Sequence, residues 1–307
     1  MSEEPRRRRR WHIAMFLAPA VLVYTALMIL PLFGTLQLSL YQTVDNHPVY
    51  AGLTNFQTLF GDPNWSESFW RALKNNTWFF IIHMAVQNPI GIALAAMLSA
   101  PALRFKSFYR TAIFIPTILS FVIVGFAWKL ILSPLWGIAP GLMDMVGLKS
   151  LFAPWLGLER TALTTVALIS VWQFVGIPMM LIYAAMLSIP DEILEAGEID
   201  GLSGISAFWK IKLPLILPSI GIISILTFVG NFNAFDLVYT IEGAMAAPNF
   251  STEVMGTFLF RTFFGHQTQP GDPNMGAAIA VMMFLIILAG VTVYLFLIQT
   301  RMRRYQF

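Results

Sequence analysis

The chain has no cysteine, so disulfide frameworks, thiolate metal sites and cysteine nucleophiles are excluded together, and the redox compartment is not legible. Charge is scarce as well. Asp, Glu, Lys and Arg make up 11% of 307 residues, where a soluble domain uses roughly a quarter to cover its surface. No G-x4-G-K-[ST] loop is present to cradle a phosphate, and no H-E-x-x-H, Ser/His/Asp set or pair of acids lies within an apolar stretch. Nothing points to an intrinsic enzyme or a metal site, and no cofactor site is legible.

What the chain has instead is 57% hydrophobic residues and a mean hydropathy of +0.69, which makes lipid its expected solvent. The net charge of +3 would suit nucleic acid, but the basic residues sit beside apolar stretches rather than along one polar face, so membrane topology accounts for them better. The 26 Phe, 9 Trp and 16 Met are mostly lipid-facing bulk, although aromatic rings also suit membrane interfaces and polyol-binding cavities.

About 20 apolar residues cross a hydrocarbon core about 30 Å thick. Six stretches qualify: Ile13 to Leu32, Thr77 to Leu98, Tyr109 to Leu132, Ala162 to Leu187, Leu215 to Val238 and Met275 to Ile298. Continuous runs of this length indicate helices rather than the alternating strands of a barrel, so the fold class is an all-α membrane protein with six transmembrane helices. Of 19 Lys and Arg, one side holds Arg6 to Arg10, Arg104, Lys106, Arg110, Lys210, Lys212, Arg301, Arg303 and Arg304. The other holds Arg71, Lys74, Lys129, Lys149, Arg160 and Arg261. The positive-inside rule then puts both termini in the cytoplasm, as a basic tail (1–12), a membrane domain (13–298) and a second tail (299–307). The arginine run before an apolar stretch resembles a secretory signal, but the stretch is too long for a signal core and five more follow. The same arginines suit anionic headgroups.

Three connections on the outer side are long: Phe33 to Asn76, Ser133 to Thr161 and Tyr239 to Asn274. Asp62-Pro63-Asn64-Trp65 and Pro270-Gly271-Asp272-Pro273 read as turns within them. The inner connection at 188–214 is patterned differently. Ser188-Ile189-Pro190-Asp191 reads as a helix start, with a capping hydroxyl, Pro in the first turn and acids against the positive helix end. The helix is predicted to end at Gly201, with Ala196, Gly197, Asp200 and Gly201 on one face. A second short helix is predicted from Ser203 to Leu213, with Ile205, Phe208 and Trp209 as its apolar stripe. Such a hairpin buries little alone. Pro190 to Lys212 holds five acids against two lysines, whereas a helix lying on lipid is basic, so the expected partner is a protein.

Glu195-Ala196-Gly197, then Gly201, then nine residues to Ile211-Lys212-Leu213-Pro214, resembles the E-A-A-x3-G-x9-I-x-L-P signature of permease subunits in binding-protein-dependent bacterial ABC importers. Ile199-Asp200-Gly201 and Leu213-Pro214-Leu215 are similar to the carbohydrate branch, with its maltose, lactose and glycerol-3-phosphate permeases. Weaker pieces of the resemblance are Leu17-Ala18-Pro19-Ala20, Gly52-Leu53-Thr54-Asn55-Phe56 and Phe108-Tyr109-Arg110-Thr111-Ala112. Gly197 departs from the usual Ala, at a cost of about 1 kcal/mol in helix propensity. The resemblance implies the ABC type I importer permease fold in the bacterial inner membrane. It implies that 188–214 is a coupling loop docking into a cytoplasmic ATPase through Glu195, Ala196, Gly197, Asp200, Gly201, Ile211, Leu213 and Pro214. It further implies as partners a second permease, two ATPase subunits carrying ATP and Mg, and an extracytoplasmic sugar-binding protein.

Polar groups at membrane depth are costly unless they face a cavity or one another. The set here is His83, Gln87 and Asn88, then Trp172 and Gln173, then Thr227, Asn231, Asn233 and Asp236. Each reads equally well as a sugar-binding group or as an interhelical hydrogen bond; His83, alone and without carboxylates at ligand spacing, reads as structural. The resemblance favours Asn231-Phe232-Asn233 with Trp172 and Phe174 as the pathway, although the aromatic side chain expected near Met179 is missing. Which sugar or polyol is carried is not legible. The competing reading is an ion-coupled secondary transporter of small polar solutes, which calls for an inverted repeat and midplane carboxylates that the sequence does not show.

Overall fold

The computed structural model describes residues 5–100, 103–267 and 269–296; the tail at 299–307, with Arg301, Arg303 and Arg304, lies outside them. Four helices are individually long and apolar enough to cross a membrane: Trp11–Leu38, Pro63–Ser99, Gly204–Phe232 and Pro273–Tyr294. Two bent helix pairs reach the same length and hydropathy only when each is taken together, Lys106–Ile118 with Phe121–Ile131 at 97°, and Ala162–Phe174 with Gly176–Leu187 at 42°. In chain order these are the first to sixth segments.

The first segment continues a helix that begins at Pro5, inside the stretch read as a tail, and none of its apolar window is buried within the chain. A two-stranded hairpin follows, Tyr41–Val44 against His47–Tyr50, and departs from an all-α fold. Its Asp45–Asn46 turn has both residues at positive φ, the geometry that matches strand twist. Asn55 donates to the carbonyls of Ser39 and Tyr41 at 2.8 Å each, and Thr43 reaches Asn274 at 2.9 Å, tying the hairpin to the sixth segment.

Asp62-Pro63 and Asp272-Pro273 are not turns but helix starts. Asp62 accepts from the amides of Asn64 and Trp65, and Asp272 from those of Asn274 and Met275, with Pro at the first helical position where no donor is needed. The second segment is thereby lengthened outward to 37 residues, about 55 Å at 1.5 Å per residue, and much of the supposed first loop is helix. It carries a π-helical stretch at His83–Gln87.

The bends have chemical causes. Pro116 lies in the 3-10 turn Ile115–Ile118, after which Ser120 caps the new helix by accepting from the Val122 amide. Pro178 cannot donate to the Phe174 carbonyl, which opens the turn at Gly176. The two bends are stitched together: Thr117 donates to the Gln173 carbonyl at 3.0 Å, and the Gln173 side chain donates to the Leu119 carbonyl at 3.1 Å. The fifth segment ends at Phe232, short of Val238, because Asn231 and Asn233 turn their amides back onto the carbonyls of Thr227 and Val229. Asp236 therefore opens a separate short helix, Asp236–Glu242.

Three apolar clusters hold the whole. One, with Phe79, Val166, Leu237 and Ile241, packs the middle of segment two and the first part of segment four against the short helix after segment five. A second, with Ala95, Met179, Ile182 and Ile216, joins segments two, four and five beside the inner loop. The third, with Leu59, Phe69, Phe258 and Met275, packs the rim helices on the sixth segment. In the rim Glu253, fully buried, takes Arg261 at 2.7 Å and Arg71 at 3.1 Å, and both guanidinium groups lie over the Phe250 ring.

Candidate translocation cavity and coupling loop

A cavity of about 480 Å³ opens among segments two to five. Of the pathway residues read from the sequence, Gln87, Phe174, Thr227, Asn231, Asn233 and Asp236 line it. Two of them carry the information. Gln87 and Asn231 are each 6% exposed, and their amide oxygens meet no hydrogen-bond partner. A buried amide oxygen left open costs about 1–3 kcal/mol, so each of these two lining residues keeps one unused acceptor. Asn231 is held rigidly for this: its amide nitrogen is committed to Thr227, and its carbonyl accepts from Asn76, whose own oxygen takes the Met255 amide at 2.6 Å.

The remaining three lie elsewhere. Asn88 is behind the wall, paired with the Thr227 hydroxyl at 3.2 Å. Gln173 gives its amide nitrogen to the bend described above, and its oxygen, buried away from the cavity lining, also meets no partner. Trp172 stands 42% exposed with its ring edge against Trp128 at 5.5 Å. His83, read as structural, bonds the Phe79 carbonyl through Nδ1 at 2.8 Å and Ser170 through Nε2 at 3.0 Å. The carbonyl can only accept, which fixes the proton on Nδ1 and makes Ser170 the donor to Nε2. Both still line the cavity. Sequence reasoning missed Ser170, and it missed Phe79, Phe121 and Phe235, which give the cavity aromatic walls; in an apolar stretch a Phe facing a cavity looks like any other. Asp236 is the one acid among the lining residues, and it is exposed in the first turn of its own helix. At the last residue of that helix, Glu242 has its carboxyl pushed up to about 7 by burial, against the opposing pull of Lys129.

At the inner loop the first helix runs Asp191–Ile199, with Asp191 and Glu192 in its first turn. The Ser188 hydroxyl does not cap it; it donates to the Ala185 carbonyl and closes the preceding helix. Gly201 at φ +78° ends the helix in a Schellman motif, its amide on Glu198 and the Leu202 amide on Gly197 at 2.8 Å. The second helix is not a free element. Gly204–Ala207 and the π-helical stretch Phe208–Lys212 run without a break into the fifth segment. Of the face read from the sequence, Gly197 alone is buried, while Ala196, Asp200 and Gly201 are exposed, as is Glu195 beside them. The gap at Gly197 is filled by the same chain: a Cβ there would collide with Ile211 Cδ1. The two ends of the motif thus touch across the bend, with Leu213 and Pro214 half-buried beyond it.

Residues 87–304 match the family described as binding-protein-dependent transport system inner membrane component. The chain is 32% identical over 278 residues to the probable ABC transporter permease protein YurN of Bacillus subtilis, covering 90% of this chain and 91% of that protein. It is 27% identical to the lactose transport system permease protein LacF of Rhizobium radiobacter, covering 94% of each. A crystal structure of a bacterial ABC transporter that imports the acidic polysaccharide alginate has the same fold, with a TM-score of 0.74, 22% identity and coverage of 97% and 96%. Its relatives are permeases rather than enzymes, and with the family matched over most of its length, the chain belongs to the binding-protein-dependent transport system inner membrane components and is an ABC importer permease.

Proposed function

We propose that this permease carries a sugar or related polyol through the cavity lined by Gln87 and Asn231, with six crossings and both termini in the cytoplasm of a bacterial inner membrane. The supporting observation is the pair of buried, unpartnered amide oxygens among Phe79, Phe121, Phe174 and Phe235. Neutral acceptors suit hydroxyl donors and aromatic faces suit sugar rings, whereas no Lys or Arg lines the cavity to hold an anion. LacF is named for lactose, and other relatives for arabinooligosaccharides and starch degradation products. A structural neighbour was crystallised with a pentasaccharide-bound periplasmic protein, in keeping with delivery by a soluble receptor.

In this reading Glu195, Ala196, Gly197, Asp200 and Gly201 present the docking face to the ATPase, while Ile211, Leu213 and Pro214 fix that face to the fifth segment. ATP and Mg are bound by the two ATPase subunits, and a second permease supplies the other half of the pathway. The test is uptake into proteoliposomes holding the complete importer and its receptor, with the sugar taken from a screen of the receptor. Asn231→Ala is expected to raise the KM for transport about two- to tenfold, the worth of one neutral hydrogen bond, with receptor affinity unchanged. Unaltered transport kinetics in both Asn231→Ala and Gln87→Ala would overturn the assignment of the cavity.

A further inference from the structure

The geometry points to a binding site for one anionic phospholipid on the second segment, in the groove between Trp70, Lys74 and Trp78 and the start of the fourth segment. The groove has a volume of about 510 Å³, and Leu73, Ile81 and Leu163 make its apolar floor. Two independent markers set its depth. About 20 residues span the hydrocarbon core, so counting outward from Ser99 along a helix unbroken to Pro63 brings the apolar boundary to about residue 80. Trp78 sits just beyond it. Its indole nitrogen donates to the Thr164 hydroxyl at 3.0 Å, and Thr164 is the third residue of the fourth segment. Both segments thus place Trp78 at the edge of the hydrocarbon.

Lys74 lies six residues beyond that boundary, about 9 Å at 1.5 Å per residue, at the outer edge of a headgroup layer of about 5–8 Å on each side, and its four-carbon stem lets the ammonium reach back into that layer. Its side chain is exposed, and no ion pair to it is seen among the described residues. The neighbouring polar groups are used: Arg71 pairs with Glu67 and Glu253, and Asn75 donates to the carbonyls of Ser251 and Glu253. Trp70, 55% exposed, closes the outer end, held by the Phe69 ring at 5.3 Å. A lone cation at phosphate level, indoles above and below it, and an apolar floor running inward match a glycerophosphate headgroup with its acyl chain, and disfavour a soluble anion that has no use for the floor.

Native mass spectrometry of the purified full-length permease complex, delipidated and titrated with dioleoyl phosphatidylglycerol, tests this. Wild type is expected to retain one phosphatidylglycerol in preference to phosphatidylcholine, and Lys74→Gln to retain it about fivefold less, the worth of one lysine at an anionic surface. Lys74→Arg is expected to keep it. Leu163→Trp, which fills the floor and leaves the cation, is expected to lose the lipid as well, and millimolar glycerol 3-phosphate is expected not to displace it. Equal retention by Lys74→Gln, equal retention of phosphatidylcholine, or displacement by glycerol 3-phosphate would overturn the site. So would a photo-crosslinker at position 74 that captures a polypeptide in membranes rather than lipid.

Discussion

Asn231 and Gly197 show how much a single position carries in a chain with so few polar groups. Asn231 gives its amide nitrogen to its own helix and its carbonyl to Asn76, which leaves only its side-chain oxygen for a substrate. Gly197 gives its carbonyl to the Schellman turn and the space of its missing side chain to Ile211. Replacing it by Ala regains about 1 kcal/mol of helix propensity, and the obstructing atom is the mobile end of Ile211, so Gly197→Ala is expected to transport at close to the normal rate. Gly197→Leu has no such escape. It is expected to insert and accumulate normally but to lose most transport, as measured by uptake normalised to membrane-embedded protein.

Among the elements, the rim differs most from the loops read in the sequence. Helices lengthen the second segment outward, and Glu253 joins the outer connection to that extension through Arg71 and Arg261. Removing one partner from a buried ion pair strands the other's charge, at a cost of about 3–5 kcal/mol. Arg261→Met is expected to lower the melting temperature in detergent, whereas the double variant Arg261→Met with Glu253→Gln is expected to recover part of the loss. Equal melting of wild type and Arg261→Met would show that Arg71 alone compensates Glu253. No local pattern announces this network, because its members are spread over nearly two hundred positions. The aspartates at 62 and 272 were visible, but Asp-Pro reads as a turn until the helix that follows is seen.

At the scale of the molecule, the exposed acids of Asp191–Ile199 and the unburied first segment leave surfaces that this chain does not cover. For the inner loop the expected cover is an ATPase. Glu195→Lys is expected to leave membrane insertion intact while abolishing copurification of the ATPase and uptake. Normal uptake at normal expression would remove Glu195 from the coupling contact.

The sequence by itself determined where the apolar segments lie, since length and hydropathy suffice for that, and it marked the inner loop through a motif whose spacing is local. It also supplied the polar residues from which the cavity is built. It did not determine which of them face the cavity. Gln87 and Asn88 are adjacent, as are Gln173 and Phe174, yet one of each pair lines the cavity and the other bonds to protein. In a helix that is apolar on every side no periodicity reports its rotation, so only packing against the neighbouring helices, with bends at Pro116 and Pro178, decides which face turns inward.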